Sequence, residues 1–227
     1  MPTERPQGPV EGSDTTNRWR DSYKRVRKDL LKDNEATNRN RLRVLGFEQV
    51  PKDARLLDVG AGDGNLFGTL NAIGYRRYHG LEYQPELAAV HPGRDRVAVA
   101  SGTHIPYATG AMDAVIVMDV LHHLTLAQLP ACLSEMRRVL RPGGLLFVCE
   151  PAQTLFRRIL TALLFSPLGD ITQFSRDKRA MVEEERSTLD PWLNAEPLVR
   201  GRIAVAGFQE EFFRRFWLHN YGRFRAV

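Results

Sequence analysis

The sequence has few cysteines and no long uninterrupted apolar run. Its two cysteines, Cys132 and Cys149, have no CxxC or metal-ligand spacing around them, so we expect reduced thiols and no metal site. No apolar stretch reaches the roughly 18 residues that a membrane-spanning helix needs. The first residues also lack the apolar centre of a secretory signal. We therefore expect a soluble, cytoplasmic protein.

The size and composition are those of a globular chain. With 227 residues, 43% hydrophobic and 26% charged, the chain is long enough for one domain with an elaboration. The formal net charge of +5 favours anionic partners. The basic residues gather in two places, residues 18–43 and the C-terminal third, where Arg157, Arg158, Arg214, Arg215, Arg223 and Arg225 stand.

The pattern along the chain divides it into five parts. Residues 1–15 are rich in Pro, Gly, Ser and Thr, which predicts a flexible tail. Residues 16–50 carry apolar residues at helical spacings, which predicts a lid of two helices with Trp19 and Tyr23 facing inward. Residues 51–150 form the expected core, 151–190 an inserted helical cap, and 191–227 a last helix with a terminal β-hairpin.

The core alternates short strands with helical stretches. The strands are predicted at RLLDV, YHGLE, RVAVA, AVIVM and LLFVCE, and a helix at LAQLPACLSEMRRVL that RPGG ends. Strands joined by crossover helices are typical of a parallel sheet. We therefore predict an α/β fold with a doubly wound, mostly parallel seven-stranded sheet that the C-terminal antiparallel hairpin completes.

A glycine-rich turn follows the first strand, in RLLDVGAGDGN. Asp58 ends the strand, and Gly60, Gly62 and Gly64 leave the backbone open to a ligand. Glu82 ends the next strand roughly 20 residues after the turn, where a carboxylate accepts both hydroxyls of a ribose. This arrangement indicates an adenosine-containing ligand.

Two ligand classes fit such a turn, a dinucleotide or an adenosine compound without phosphates. Position 65 is Asn, where the dinucleotide motif has a third glycine. A carboxylate at Asp58 would repel a pyrophosphate but would attract an ammonium group in a partly dry site. S-adenosyl-L-methionine carries both an adenosine and an ammonium group, and the sequence favours it.

Four stretches now carry a resemblance to a known family. LLDVGAGDGNL, HGLEYQPE, HIPYATGAMDAVIVMDVLHHL and EMRRVLRPGGLLFVCEP resemble the class I S-adenosylmethionine-dependent methyltransferases, within their small-molecule group of quinone and sterol methyltransferases. The resemblance covers roughly residues 50–150 in the family's order and spacing. It implies a Rossmann-like methyltransferase fold, S-adenosyl-L-methionine as cofactor and a small-molecule acceptor.

The resemblance also implies a set of cofactor-binding residues. It places Asp58, Gly60, Ala61, Gly62 and Gly64 around the methionine part, Glu82 on the ribose, Tyr83 against the adenine, and Ser101, Gly102, Asp119 and Val120 along the same pocket. One position departs from the family pattern, since Ser101 stands where the family usually has an acid that accepts from the adenine amino group. A serine hydroxyl still accepts such a bond.

Three residues are candidates for the chemistry. Methyl transfer from a sulfonium is an in-line displacement, so the protein aligns the nucleophile and, where necessary, removes its proton. His122 and His123 follow the fourth strand, and either is a candidate general base. The alternative is that LHHL only opens the next helix. Glu150, at the end of the fifth strand, is a candidate base or orienting group.

The cap segment TLFRRILTALLF allows two interpretations. Its apolar residues belong to a helix packed on the core, or they form a lid over an apolar, lipid-like acceptor, with Arg157 and Arg158 near an acidic headgroup or an anionic membrane surface.

We predict methyl transfer to a small, apolar acceptor. The alternatives are an RNA methyltransferase, although MDVL replaces an NPPY-type tetrapeptide at the fourth strand, and a non-catalytic binding subunit of the same fold.

Overall fold

The computed structural model describes residues 34–227. The predicted tail and the first lid helix, with Trp19 and Tyr23, lie outside the described residues. The second predicted lid helix is present as α1, Asn34–Val44. Leu42 of this helix and Leu45, directly after it, lie in the core.

One mixed sheet of seven strands organises the part of the chain from residue 34 onwards. Its strands are β1 Leu56–Val59, β2 Tyr78–Glu82, β3 Val97–Val99, β4 Met112–Met118, β5 Leu140–Pro151, β6 Phe208–Phe216 and β7 His219–Ala226. The order across the sheet is β3-β2-β1-β4-β5-β7-β6. β1 to β5 run parallel, whereas β7 is antiparallel to β5 and to β6. The predicted fold class, including the terminal hairpin, is confirmed.

Helices cover both faces of this sheet. After α1 they are α2 Asn65–Ala72, α3 Pro85–Val90, α4 Leu129–Val139, α5 Leu155–Leu164, α6 Gln173–Asn194 and α7 Glu196–Val205. α4 shows why the sequence folds in this way, since Leu129, Leu133 and Met136 recur at helical spacing and all are buried. One core cluster lies under α4 and α7, and a second lies under α1 and α2.

Two predicted boundaries differ from the structure. α6 continues to Asn194, so the cap boundary predicted at residue 190 falls inside a helix. The strand predicted at LLFVCE begins earlier, because β5 starts at Leu140, directly after α4 ends, and Leu140 pairs with Met112 of β4. Cys132 and Cys149 are both free and buried.

The topology places the carboxyl ends of β1 to β5 along one edge of the sheet. The strand order reverses between β1 and β4, which is where ligands bind in open α/β sheets. Every predicted site residue follows or ends one of these strands. Of the helices between residues 34 and 227, none is long and apolar enough to cross a membrane.

Candidate active site

The glycine turn between β1 and α2 has the backbone that its sequence predicts. Gly60, Gly62 and Gly64 have φ values of 77°, 57° and 92°, in the left-handed region that favours glycine. A Cβ on Gly60 would lie 2.3 Å from Cγ2 of Val120, so only glycine admits that side chain. A Cβ on Gly62 would meet nothing nearer than a carbonyl oxygen 4.0 Å away. The backbone beside Gly62 is therefore open to a ligand.

Glu82 faces this turn from the end of β2. Its two carboxylate oxygens accept the backbone N–H groups of Gly62 and Gln84, each over 2.8 Å. Each oxygen of a carboxylate has a second lone pair, so the group retains the capacity to accept hydroxyl hydrogens. These two bonds hold the side chain at the end of β2, and its contact with a ribose stays a prediction.

Asp58 is buried at the end of β1, with 4% of its surface exposed. The Tyr78 hydroxyl donates to its Oδ2 over 3.0 Å, and that hydroxyl lies 3.3 Å from His91 Nε2. Since the Gly93 N–H donates to His91 Nδ1, the His91 proton lies on Nε2 and points to Tyr78. The pKa of Asp58 is raised to about 7. Burial is the main cause, the hydrogen bond from Tyr78 acts against it, and the negative charge of Glu82 adds to the increase.

Sequence reasoning missed the two residues behind Asp58. Tyr78 opens β2 and His91 follows α3, and neither belongs to a recognisable motif. Only the folded sheet, in which Asp58 and Gly80 are register partners, brings these side chains together.

The remaining predicted cofactor residues surround the same edge. Tyr83 follows β2 with 54% of its surface exposed, as an aromatic face needs for stacking on a base. Ser101 Oγ lies 2.8 Å from Thr103 Oγ1 and accepts the Thr103 N–H over 3.2 Å. Gly102 leaves room for Cys132, whose Sγ would lie 2.9 Å from a Cβ there. Ala61 is buried against the turn.

Asp119 has an ion-pair partner that the sequence did not predict. It adopts a φ of 55°, and Arg41 of α1 donates to its Oδ2 over 2.7 Å. His219 Nε2 lies 3.2 Å from Oδ1. Although burial acts to raise it, the Arg41 and His219 contacts hold the pKa of Asp119 well below its usual range. Asp119 thus fastens α1 to the site.

Glu150 and His122 form a buried pair at the carboxyl ends of β5 and β4, with 1% and 4% of their surfaces exposed. Glu150 Oε1 accepts the backbone N–H groups of Val120 and Leu121, each over 2.8 Å. Glu150 Oε2 lies 2.8 Å from His122 Nδ1. These contacts favour the orienting role for Glu150 over the role of base, the two roles that the sequence left open.

The same contacts set the protonation of His122. A carboxylate only accepts, so the neutral ring places its proton on Nδ1 and leaves Nε2 with a free lone pair. Burial disfavours the imidazolium, yet the hydrogen bond and negative charge of Glu150 outweigh it and raise the pKa of His122. His123 is exposed, and its ring centre lies 4.1 Å from that of His122.

The described residues fit S-adenosyl-L-methionine. The opening at Gly62 admits a ligand to the backbone. Asp58 places a carboxylate beside the turn, where it would attract an ammonium group and repel a phosphate. Glu82 keeps lone pairs that can accept hydroxyl hydrogens. The individual roles of these residues stay predictions.

Comparison with known proteins finds a known domain in the same part of the chain. Residues 57–148 match the family model described as a methyltransferase domain. A demethylmenaquinone methyltransferase of Parafrankia sp. (strain EAN1pec) is 38% identical over 72 residues, which are 32% of this chain and 28% of that protein. One from Mycolicibacterium gilvum (strain PYR-GCK) is 33% identical over 132 residues, 56% of each chain. The chain thus matches little more than a quarter of the length of the first of these relatives.

The fold has solved counterparts. A proposed S-adenosyl-L-methionine-dependent methyltransferase from Methanococcus maripaludis superposes with a TM-score of 0.65 at 13% identity, covering 97% of this chain and 98% of that one. The strand order and the position of the glycine turn are those of the class I methyltransferase fold. Residues 57–148 form a methyltransferase domain, which confirms the resemblance, and the cofactor of this family is S-adenosyl-L-methionine.

Proposed function

We propose that this protein is an S-adenosyl-L-methionine-dependent methyltransferase that acts on a small, apolar or lipid-like acceptor, with peripheral contact to an anionic membrane surface. One observation carries the proposal. The open glycine turn, the buried Asp58 and the ribose-facing Glu82 lie on the same sheet edge as the His122–Glu150 pair. A cofactor subsite and a proton acceptor are therefore neighbours.

The mechanism divides between these residues. When bound, S-adenosyl-L-methionine supplies a methyl group that its sulfonium already activates for in-line displacement. Asp58 attracts the ammonium group of the cofactor, and Glu82 accepts ribose hydroxyls. His122 removes a proton from the methyl acceptor with its Nε2 atom. Glu150 accepts the hydrogen bond from the Nδ1 proton and stabilises the resulting imidazolium.

The apolar acceptor rests on two supports. The His122 ring lies 6.5 Å from the ring of Trp192, and Leu121 beside it is fully buried, so apolar side chains lie next to the candidate base. The two curated relatives described above are named demethylmenaquinone methyltransferases, which supports an acceptor of that kind for this chain.

Calorimetric titration with S-adenosyl-L-methionine and S-adenosyl-L-homocysteine tests the cofactor. We expect micromolar binding of both, followed by transfer of a labelled methyl group to lipid or quinone acceptors. Transfer to RNA would select the RNA methyltransferase instead. Cofactor binding without transfer to any class would select the non-catalytic subunit.

The placement of the cofactor predicts the effect of two substitutions. Asp58→Ala and Glu82→Ala should each weaken cofactor binding at least tenfold, since a charged hydrogen bond contributes roughly 1.5–3 kcal/mol. Asp53→Ala removes an exposed carboxylate before β1 and should leave the affinity unchanged. Wild-type affinity in both site variants would refute this placement.

A further inference from the structure

Helix α5 has its polar side toward the protein and its apolar side toward solvent. Leu155, Ile159, Leu163 and Phe156 have 73%, 52%, 47% and 42% of their surfaces exposed. No residue of the helix is buried. A helix packed on the core was one of the two interpretations that the sequence allowed, and the orientation in the structure is the opposite of that arrangement.

Hydrogen bonds from the polar side fix this orientation. Arg157 Nε donates to the carbonyl oxygen of Ala152 over 2.8 Å, and its Nη2 donates to that of Leu218 over 2.6 Å. Thr154 caps the helix by accepting the Arg157 N–H, and its hydroxyl donates to the Trp217 carbonyl. Turning the apolar side inward would break all of these bonds and leave the Arg157 guanidinium unpaired.

The exposed apolar side continues onto the β6–β7 turn. The ring centre of Phe156 lies 4.8 Å from that of Trp217, which lies 5.8 Å from that of Phe216. Trp217 and Phe216 are themselves 57% and 46% exposed. We name the whole patch the outer apolar surface; it consists of Leu155, Phe156, Ile159, Leu163, Phe216 and Trp217.

The position of this surface relates it to the candidate active site. The Ala152 N–H donates to the Leu218 carbonyl over 2.8 Å, so the surface begins where β5 ends. Glu150, which holds His122, lies two residues before Ala152. The outer apolar surface and the His122–Glu150 pair therefore share one edge of the sheet.

Charge decides between the partners that would cover the surface. The segments that carry it, residues 152–169 and 212–219, contain four arginines and no Asp or Glu. Arg157 is bound to carbonyl groups and Arg215 to Glu196, whereas Arg158 and Arg214 are exposed. A second copy of this surface, or the basic residues 18–32, would bring like charges together. Leucines and isoleucine with aromatic residues beside them and arginines around them are typical of a helix in an anionic lipid interface.

We propose that the outer apolar surface docks the protein on an anionic lipid bilayer. The inference rests on the proposed function, because it places the sheet edge that carries His122 and Glu150 against the bilayer, and a lipid-like methyl acceptor is dissolved in that bilayer. Ile159, Leu163 and Trp217 enter the interface, and Arg158 and Arg214 meet the headgroups.

Vesicle co-sedimentation of the full chain tests the proposal. We expect binding to phosphatidylcholine vesicles that contain phosphatidylglycerol, weaker binding to phosphatidylcholine alone, and weakening by salt. Ile159→Asn with Trp217→Asn should reduce the partition coefficient at least tenfold. Val205→Asn, at a side chain that is 90% exposed at the end of α7 and is not part of the outer apolar surface, is the matched control and should bind as wild type does.

Three outcomes would overturn the proposal. The first is that the protein does not bind the anionic vesicles. The second is that binding persists in the Ile159→Asn, Trp217→Asn variant, which would assign it to the basic N-terminal segment. The third is that the protein forms a dimer in solution that this variant abolishes. Calorimetry with S-adenosyl-L-homocysteine keeps the two proposals separate. Cofactor binding without vesicle binding removes the docking surface and the membrane contact but leaves the methyltransferase activity. Vesicle binding without cofactor binding removes the methyltransferase activity but leaves the docking surface.

Discussion

At the scale of single residues, the candidate active site depends on carboxylates with different environments. Glu150 accepts two backbone N–H groups and contacts His122, so its charge is used to hold a loop and an imidazole. Asp58 is buried with one tyrosine hydroxyl as its hydrogen-bond donor, and its pKa rises to about 7. The first carboxylate therefore holds neighbouring groups in place, and a cationic ligand would stabilise the charge of the second.

Glu150→Gln tests the orienting role at this scale. The amide oxygen still accepts from Val120 and Leu121, but the negative charge beside His122 is lost. The pKa of His122 should therefore fall, because only the smaller contributions of Asp119 and Glu185 then oppose burial. We expect this shift in an NMR titration, with kcat reduced on the order of 10²-fold or more, as for loss of a general base. His123→Gln, at the exposed neighbour, should keep both properties. An unchanged kcat in Glu150→Gln would exclude His122 as the base.

At the scale of elements, helix α1 is attached to the site by a contact between residues 78 positions apart. Arg41 pairs with Asp119, where the backbone leaves β4 with a positive φ. Leu42 of the same helix and Leu45, directly after its end, enter the core. The helix therefore closes one side of the site through a polar contact and a packed face.

The Arg41–Asp119 pair should stabilise the protein measurably. Arg41→Gln is expected to lower the free energy of unfolding by about 1 kcal/mol, less than a fully buried pair because Asp119 is 37% exposed. Urea unfolding of this variant, of Asp119→Asn and of the double variant gives the coupling energy. Arg39→Gln breaks the exposed α1 pair with Glu35 and should cost less than about 0.5 kcal/mol. Equal costs for Arg39→Gln and Arg41→Gln would contradict the anchoring role of Arg41.

At the scale of the whole molecule, the stability should carry the signature of Asp58. The folded pKa of about 7 lies above the ordinary value of 3.8, so the folded chain binds a proton that the unfolded chain has lost. The contribution of protonated Asp58 to the free energy of unfolding is therefore fully present below about pH 4 and is lost as the pH rises toward 7.

Asp58→Asn should remove this loss, because an amide does not ionise and its oxygen still accepts from Tyr78. We expect the variant to exceed wild type in free energy of unfolding by more at about pH 8 than at about pH 5, while cofactor binding is lost. Asp53→Asn, at an exposed carboxylate, serves as control. A variant advantage that does not change with pH would show that Asp58 titrates normally.

The sequence by itself determined the sheet, the glycine turn and most of the candidate site. Apolar periodicity and left-handed glycines are local properties, so the strands, α4 and the open backbone at Gly62 were predictable. Only the tertiary structure placed Tyr78 behind Asp58, joined Arg41 to Asp119, and turned Glu150 toward the loop that carries His122. It also decided that α5 presents its apolar side outward, because the carbonyl groups that hold Arg157 come partly from Leu218, 61 residues away. Contacts between distant segments follow from the packing of the whole chain, which no local pattern contains.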